Sequence, residues 1–408
     1  MRTITTVRDI VDYQLCTGCG LCSYIVDEEI MRENSEGEYR PDYKDISAKD
    51  QSLIVKTCPG INLNRGDIEG QLTKISEKKW GKIIQVFESS AADTLIRFKG
   101  GSGGVVSALA KFALASGHYS GVLQVKSDKA YPLKNISNYS TTFDEIIESA
   151  GSRYAPASPL SSLSAVIRAT KTSVIVGKPC DIAAVNNMEK FDAALRDKNP
   201  LKIAIFCAGV PSGRGNKEYL KDVTGRESET LSSLKYRGEG WPGTWKAEFA
   251  DGNIFERTYA ESWSKLTKSR QWRCLICPDH SGEFADISVG DPWYREVQNG
   301  ETGSSMVIVR TRKGLNFVNK AVESGIISRE QIKEELIDDA QKNLLFNNTQ
   351  LFGRLLALSL AFLPKPNYSG FKLYNNWNEL SFKLKVMSVI STLKRIYTKK
   401  IYKRNINV

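Results

Sequence analysis

Histidine is nearly absent from this chain, with His118 and His280 the only two among 408 residues. No apolar run reaches the roughly 20 residues that a membrane-spanning helix needs. The longest candidate, Leu355 to Leu363, is bracketed by Arg354 and Pro364, which argues against a transmembrane protein. The first residues, MRTITTVRDIVDYQL, lack an apolar segment and a cleavage site and do not read as a secretory signal. A disulfide framework is then the weaker use of cysteine, and a reducing, cytoplasmic location is expected. Internal repeats and low-complexity segments are missing. So are acidic residues after Glu379, where Lys383, Lys385, Lys394, Arg395, Lys399, Lys400, Lys403 and Arg404 add eight positive charges. They leave only +3 of the net +11 for the rest of the chain. The basicity is a property of the tail and does not indicate a body that binds nucleic acid.

Cysteine is the informative residue. Cys16, Cys19 and Cys22 stand two residues apart, and a fourth thiol, Cys58, is followed by Pro59. Three thiols in one short loop completed by a distant Cys-Pro match the ligand spacing of a cubane iron–sulfur cluster. Zinc is the rival, but structural zinc usually draws its thiolates as two separated pairs. A looser second set comprises Cys180, Cys207, Cys274 and Cys277. Its spacing is compatible with a second cluster, with zinc, or with unrelated buried cysteines acting as small hydrophobes. Cys180 closes SVIVGKPC and Cys207 closes IAIFC, so both fall at carboxyl ends of expected strands, the usual ligand edge of an open α/β sheet.

The pattern along the chain predicts three segments. Residues 1–75 form a small cluster-bearing module, with a hairpin or turn at Glu36 to Pro41 and a polar connector from Asn62 to Lys79. Residues 76–345 alternate strands (IIQVFES, GVLQV, TSVIVG, LKIAIFC) with helical runs such as GGVVSALAKFALAS, which predicts a mixed α/β core. Residues 346–408 form a helical, basic tail. In it Phe382, Val386, Val389, Ile390, Leu393, Ile396 and Tyr397 recur at helical spacing, predicting an apolar stripe between basic side chains. Such a helix suits peripheral contact with an anionic inner membrane face or with an acidic protein, apart from the redox chemistry. The alternative is a terminal helix packed on the body. Gly100-Gly101-Ser102-Gly103-Gly104 directly precedes a helical run, and amides there suit a flavin or nucleotide phosphate. A plain turn with Ser102 as helix cap is the other reading. His280, beside Pro278 and Asp279, is a candidate proton donor, although an exposed loop histidine is the plainer reading.

The ordered segments CTGCGLC, a later CP, GGSGGVVSALA, GSRYAPAS, VIVGKPCDIAAV, FCAGVPS and CLICPDHSGEFADISVGDPW resemble the coenzyme F420 hydrogenase/dehydrogenase beta-subunit family. The resemblance covers about residues 10 to 315 and implies a flavoprotein with FAD and two [4Fe-4S] clusters. It implies a ferredoxin-like N-terminal module ahead of an FAD-binding core. Ser102, Gly103, Gly104, Arg153 and Tyr154 would approach FAD. Cys180, Cys207, Cys274 and Cys277 would be the core cluster's ligands. Asp286, Gly290 and Asp291 match the family's ADISVGD signature, Asp291 orienting a loop or holding a ligand group; ordinary turn aspartates are the plain alternative. Two departures leave the substrate open. Relatives in polysaccharide gene clusters often carry a two-cluster module at the N-terminus, where this chain has thiols for one. The signature also ends GDPWY, where many relatives have an aromatic residue and Trp-Gly.

The expected function is an oxidoreductase that takes single electrons from a ferredoxin or other iron–sulfur donor and delivers hydride from FAD to an organic acceptor. A deazaflavin, a chlorophyll-type ring substituent or an activated sugar of polysaccharide biosynthesis all fit. A non-catalytic electron-transfer subunit and a zinc-stabilised scaffold are the competing expectations.

Overall fold

Apolar, β-branched runs become strands where the sequence places them. The computed structural model describes residues 3–67, 75–297 and 300–403. The end of the expected N-terminal module and Arg404 of the basic tail lie partly or wholly outside these residues. In chain order the strands are β1 (Met31–Glu33), β2 (Tyr39–Pro41), β3 (Asn62–Asn64), β4 (Gln85–Ser89), β5 (Tyr119–Ser127), β6 (Asn135–Ser140), β7 (Thr172–Gly177) and β8 (Leu201–Ile205). They continue as β9 (Leu231–Lys235), β10 (Thr244–Phe249), β11 (Ile254–Thr258), β12 (Ile287–Gly290), β13 (Ser305–Val309), β14 (Glu330–Gln331) and β15 (Asn367–Ser369).

Eight of these form a mixed sheet in the order β14-β4-β13-β12-β8-β7-β5-β6. Its middle strands β12, β8, β7 and β5 run parallel, and antiparallel strands flank them on both sides. Val174, Ile175 and Val176 of β7 are all buried, because helices cover both faces and no alternation is required. One face packs against Val105, Ala108 and Leu109 of the helix Val105–Ala115 and Phe317 and Val318 of the helix Arg312–Glu323. The other meets Ile182, Ala183 and Val185 of the helix Pro179–Met188, together with Leu160 and Leu163. A separate three-stranded sheet, β11-β10-β9, closes over Trp245, Tyr236 and Leu220.

The N-terminal segment shares these cores. The expected hairpin is present as antiparallel β1 and β2. Cys19, Leu21 and Leu63 join the second face of the large sheet. Ile10, Leu15, Cys16 and Cys58 pack with Trp272, Leu355, Leu358 and Ile396, and β3 pairs in parallel with β15 near the other end of the chain. The polar stretch expected as a connector thus contributes a strand. The apolar run around Leu355 lies in the core helix Leu351–Leu360, and among the described residues no helix is long and apolar enough to cross a membrane.

The C-terminal helix Phe382–Thr398 departs from the expected single apolar stripe. Ile396 is buried, and Val389 and Leu393 pack on the core, whereas Phe382 and Tyr397 are 81% and 73% exposed. Its contact line is instead built on small polar residues. A Cβ on Gly353 would lie 1.9 Å from Ser388 Oγ, so only glycine lets the two helices touch there.

One buried ion pair ties the N-terminal segment to the core. Arg65 donates to both carboxylate oxygens of Glu283 at 2.5 and 2.6 Å, both side chains are nearly inaccessible, and Arg65 also reaches the Lys78 carbonyl at 2.7 Å. Removing one member strands the other charge in the interior. Glu283→Ala is expected to cost about 3–5 kcal/mol of unfolding free energy, and Arg65→Met combined with Glu283→Leu to recover most of it. Urea unfolding followed by circular dichroism measures both; equal losses in the single and double variants would show that the charges are not what holds the junction.

Candidate functional site

The first thiol set is shaped by backbone turns. Thr6 caps the helix Val7–Asp12 reciprocally with Asp9, and the chain leaves it toward Cys16. Gly18 and Gly20 adopt φ of 72° and 86°, which reverses the loop and starts the helix Leu21–Val26 that carries Cys22. A Cβ on Gly20 would sit 2.7 Å from the Ser161 amide, so the loop packs directly on the core. Cys58 ends the helix Ala48–Thr57, and Gly60 turns past it where a Cβ would lie 2.3 Å from the Leu15 carbonyl oxygen. The four thiols lie within electrostatic reach of one another: burial, and then the charges of Cys16, Cys19 and Cys58, push the Cys22 thiol up. Burial, followed by Asp181, raises Cys19 to about 12.

The second set converges from three elements. Cys180 stands in the first turn of the helix Pro179–Met188 after β7, Cys207 follows β8, and Cys274 and Cys277 flank the end of the helix Trp272–Leu275. Burial, with Cys274 the leading charge, raises Cys207 to about 12. Burial also raises Cys180, whose proton is held further by Asp181, Cys207 and Cys277. Backbone amides turn toward the sulfurs, Gly209 to Cys207 and Val210 to Cys274, both at 3.4 Å, as Gly18 does to Cys16 at 3.3 Å. Every thiol is free.

Arg273 lies between the two sets. It is buried, donates to the carbonyls of Gly60 and Pro59 at 2.7 and 2.8 Å, and has its guanidinium 5.3 Å from the centre of the Tyr368 ring. Against the cost of burial, Tyr368 and then Cys277 favour its charge, and Cys180 adds to them. Such surroundings suit a group that keeps the sulfurs anionic. Four thiolates on one zinc at about 2.3 Å would stand about 3.8 Å apart. Among the described residues no three His, Cys, Asp or Glu side chains converge closely enough to hold one ion.

The carboxyl ends of the parallel strands are not fully covered: Ile205, the last residue of the central strand β8, is 44% exposed although Ile203 on the same strand is buried. The glycine loop packs near the ends of β4 and β13. Gly104, at φ 71°, is the cap of the helix Val105–Ala115 with no side chain on its amides, whereas Ser102, the expected cap, instead bonds Ser305 Oγ at 2.8 Å. The Gly103 amide also donates to Ser305 Oγ at 3.1 Å. Gly101 abuts Ser152 and Arg237 closely enough that a Cβ would lie 2.8 Å from Ser152 Oγ. The structure thereby joins the glycine loop to the GSRYAPAS segment, but Arg153 itself turns away. Its guanidinium donates to Asn135 Oδ1 and the carbonyls of Leu234 and Pro132 at 2.6–2.7 Å, and Tyr154 packs on Trp263 and Tyr236.

Asp291 meets a partner that sequence reading missed. Arg237 binds both of its oxygens at 2.8 and 2.9 Å, Trp241 Nε1 donates to the same carboxylate at 3.0 Å, and the guanidinium lies over Tyr259 and Trp293. Asp291 thus orients the loop from Arg237 to Gly243. The only signal in the sequence is the glycine density of GEGWPG, and nothing there links it to a residue some 50 positions later. Asp286 is no turn ornament either: it accepts from the Lys202 amide, Thr311 Oγ1 and Lys313, pinning the start of β12. His280 corrects the reading as an exposed loop histidine. It is buried with Nδ1 2.9 Å from the Cys207 carbonyl oxygen, and burial pushes its pKa down to about 4.

Comparison with known proteins gives a consistent picture. Residues 86–164 match the family model for the coenzyme F420 hydrogenase/dehydrogenase beta subunit N-terminal part, and residues 170–335 match that for its C terminus. The coenzyme F420 hydrogenase subunit beta of Methanococcus voltae is 27% identical over 259 residues, spanning 62% of this chain and 87% of that protein. The coenzyme F420-dependent sulfite reductase of Methanocaldococcus jannaschii is 23% identical over 351 residues, 80% of this chain but 49% of that protein. Among solved structures, a chain of the F420-reducing [NiFe] hydrogenase complex from Methanosarcina barkeri overlays with a TM-score of 0.51 at 21% identity, covering 69% of this chain and 96% of that one. That likeness bears on the fold.

The Arg237–Asp291 pair should be costly to break. Asp291→Ala is expected to lower stability by about 3–5 kcal/mol, because a buried guanidinium loses its counter-charge. Trp241 loses its acceptor in the same variant, so intrinsic tryptophan emission should shift to the red; unchanged emission and unfolding midpoint would place the pair outside the fold's necessary contacts.

Proposed function

This chain belongs to the coenzyme F420 hydrogenase/dehydrogenase beta-subunit family, and we propose that it is an iron–sulfur flavoprotein oxidoreductase passing electrons from a ferredoxin-like partner to an organic hydride acceptor. The observation that carries the reading is the gathering of eight free cysteines into two four-thiol sets with one buried arginine between them. Cys16, Cys19, Cys22 and Cys58 would hold one [4Fe-4S] cluster within the module of residues 1–75. Cys180, Cys207, Cys274 and Cys277 would hold a second in the core of residues 76–345. The uncapped amides of the helix Val105–Ala115, with Ser102, Gly103 and Gly104, would bind the phosphates of FAD.

A flavin held there would supply the exchange between single-electron donors and a hydride acceptor, since flavins hold one or two electrons. The chain's own part is binding and orientation. Amides of Gly18, Gly209 and Val210 donate to sulfur and offset its charge. Arg153 ties its own segment to β9, and the Arg237–Asp291 pair with the stacked Trp241 and Trp293 would shield the glycine-loop side from water. Several relatives are named for coenzyme F420, so a deazaflavin is the first acceptor to test; a substrate of polysaccharide biosynthesis is the next. Relatives that are named as subunits favour a second reading, a relay inside a larger complex without its own organic substrate.

Anaerobic reconstitution should give a brown protein with on the order of eight irons, four for each cubane. Cys19→Ser and Cys274→Ser should each lose about half of the iron; full iron in Cys274→Ser would refute the second cluster. Gly103 has no room for a side chain, since a Cβ would lie 2.7 Å from the Ser89 carbonyl oxygen. Ser102→Asp is therefore the cleaner probe, and repulsion of phosphate should lower flavin occupancy severalfold. Undiminished flavin would move the cofactor elsewhere. Reduction of a deazaflavin by the purified chain with a viologen donor supports the enzyme, and turnover only with a partner protein supports the relay.

A further inference from the structure

The basic tail does not stand apart from the thiols. Lys399 Nζ donates to the Arg270 carbonyl at 3.3 Å, and Arg270 forms a bridge with Pro211 on the strand-like segment that leaves Cys207. The Arg270 guanidinium donates to the Ala208 carbonyl at 2.7 Å. A Cβ on Gly209 would lie 2.7 Å from Arg270 Cδ and 3.1 Å from Cys274 Cβ, so this arginine rests against the second thiol set. Arg395 acts electrostatically on both Arg270 and Arg354. Lys394, Lys399, Lys400 and Lys403 of the tail and Lys268 beside Arg270 are exposed. Glu38, whose charge reaches Cys274, is buried and paired with Arg40.

We infer that the basic end of the helix Phe382–Thr398, together with Lys268 and Arg270, is the docking surface for an acidic, single-electron carrier protein that approaches the Cys207 and Cys274 side of the core. The occupant follows from charge complementarity and position: clustered cations steer an acidic partner, and the cluster reaches a half-buried thiol set through Arg270, which Lys399 touches. A lipid surface would draw chiefly on the exposed Phe382, Val386 and Ile390 of the first half of the helix, with Lys383 and Lys385 beside them, and only on Tyr397 within this cluster. The inference rests on the proposed function and adds to it where the electron carrier binds.

The test uses the full chain and a purified acidic two-iron ferredoxin as probe. Binding is measured by calorimetry at low and high salt, for the triple variant Lys394→Glu, Lys399→Glu and Lys400→Glu and for a control triple, Lys49→Glu, Lys320→Glu and Lys333→Glu, of equal net charge. The tail variant should bind at least tenfold more weakly at low salt, the control less than twofold, and high salt should remove the difference. Reduction of the bound centres by ferredoxin should slow in parallel, while their photochemical reduction is unchanged. Iron-loaded protein whose ferredoxin binding is the same in both variants overturns this inference alone. Protein that holds no iron overturns the functional reading and the inference with it. Loss of binding to phosphatidylglycerol vesicles in the tail variant, with ferredoxin affinity intact, also overturns it and assigns the helix to lipid.

Discussion

Arg273 occupies the place on which the rest of the site depends. A buried guanidinium cannot shed its proton and must find negative charge or several acceptors. It finds the carbonyls of Pro59 and Gly60 on one side and Cys277 and Cys180 on the other, with the Tyr368 ring beneath. Those partners come from the N-terminal segment, the core and the C-terminal segment. Charge balance at one residue therefore fixes three stretches of chain that are far apart in sequence. The burial that makes Arg273 costly also raises the thiols, and the two costs offset each other only when the sulfurs are anionic. Cys277 and Cys180 can serve as its counter-charge only as thiolates, the form in which a thiol binds metal.

The sheet supplies the other constraint. Parallel strands end in register, and their carboxyl ends leave unpaired backbone that loops must cover. Here β7 and β8 deliver Cys180 and Cys207, and β12 delivers Gly290 and Asp291 to the same edge. The helix Val105–Ala115 brings its uncapped N-terminus to that edge on one face, and the helix Pro179–Met188 brings Cys180 on the other. Exposure of Ile205 between them is the consequence: an apolar side chain at the centre of an eight-stranded sheet stays open where the covering elements part. Thiols and glycine loop thus stand at the same edge of the sheet because both answer to the same strand ends.

Much of this was legible from residue pattern. The strands around Val174 and Ile203 and the helix after Gly104 follow from β-branched runs and from glycine before an apolar helical stretch. The first thiol set stands out by its spacing alone, whereas the second is scattered over almost a hundred residues and was joined chiefly by the resemblance. What escaped was long-range and electrostatic. Arg237 and Asp291 are ordinary residues in separate loops until the fold pairs them, and no local rule links them. Arg153 sits in a segment that resembles a cofactor motif, yet its donors are used by the carbonyls of Pro132 and Leu234. His280 was misread for a related reason: a Pro-Asp-His-Ser-Gly stretch has the composition of an exposed loop, but Asp279 accepts from the amides of Ser281, Gly282 and Glu283 and folds the loop into the interior.

The tail shows how packing redistributes a periodic pattern. Helical spacing of Phe382, Val386, Val389, Ile390, Leu393, Ile396 and Tyr397 gives an apolar arc wider than one neighbouring helix can cover. Gly353 and Ser388 set the contact line, so Val389, Leu393 and Ile396 turn inward while Phe382, Ile390 and Tyr397 remain outside. Because Ile396 shares a cluster with Cys16, Cys58 and Leu358, cutting the chain before Phe382 would uncover the apolar bed of the first thiol set. A loss of binding or of iron in such a truncation would then report damage to that bed as readily as loss of a surface. Changing the charge of exposed lysines leaves the bed intact and isolates what the surface does.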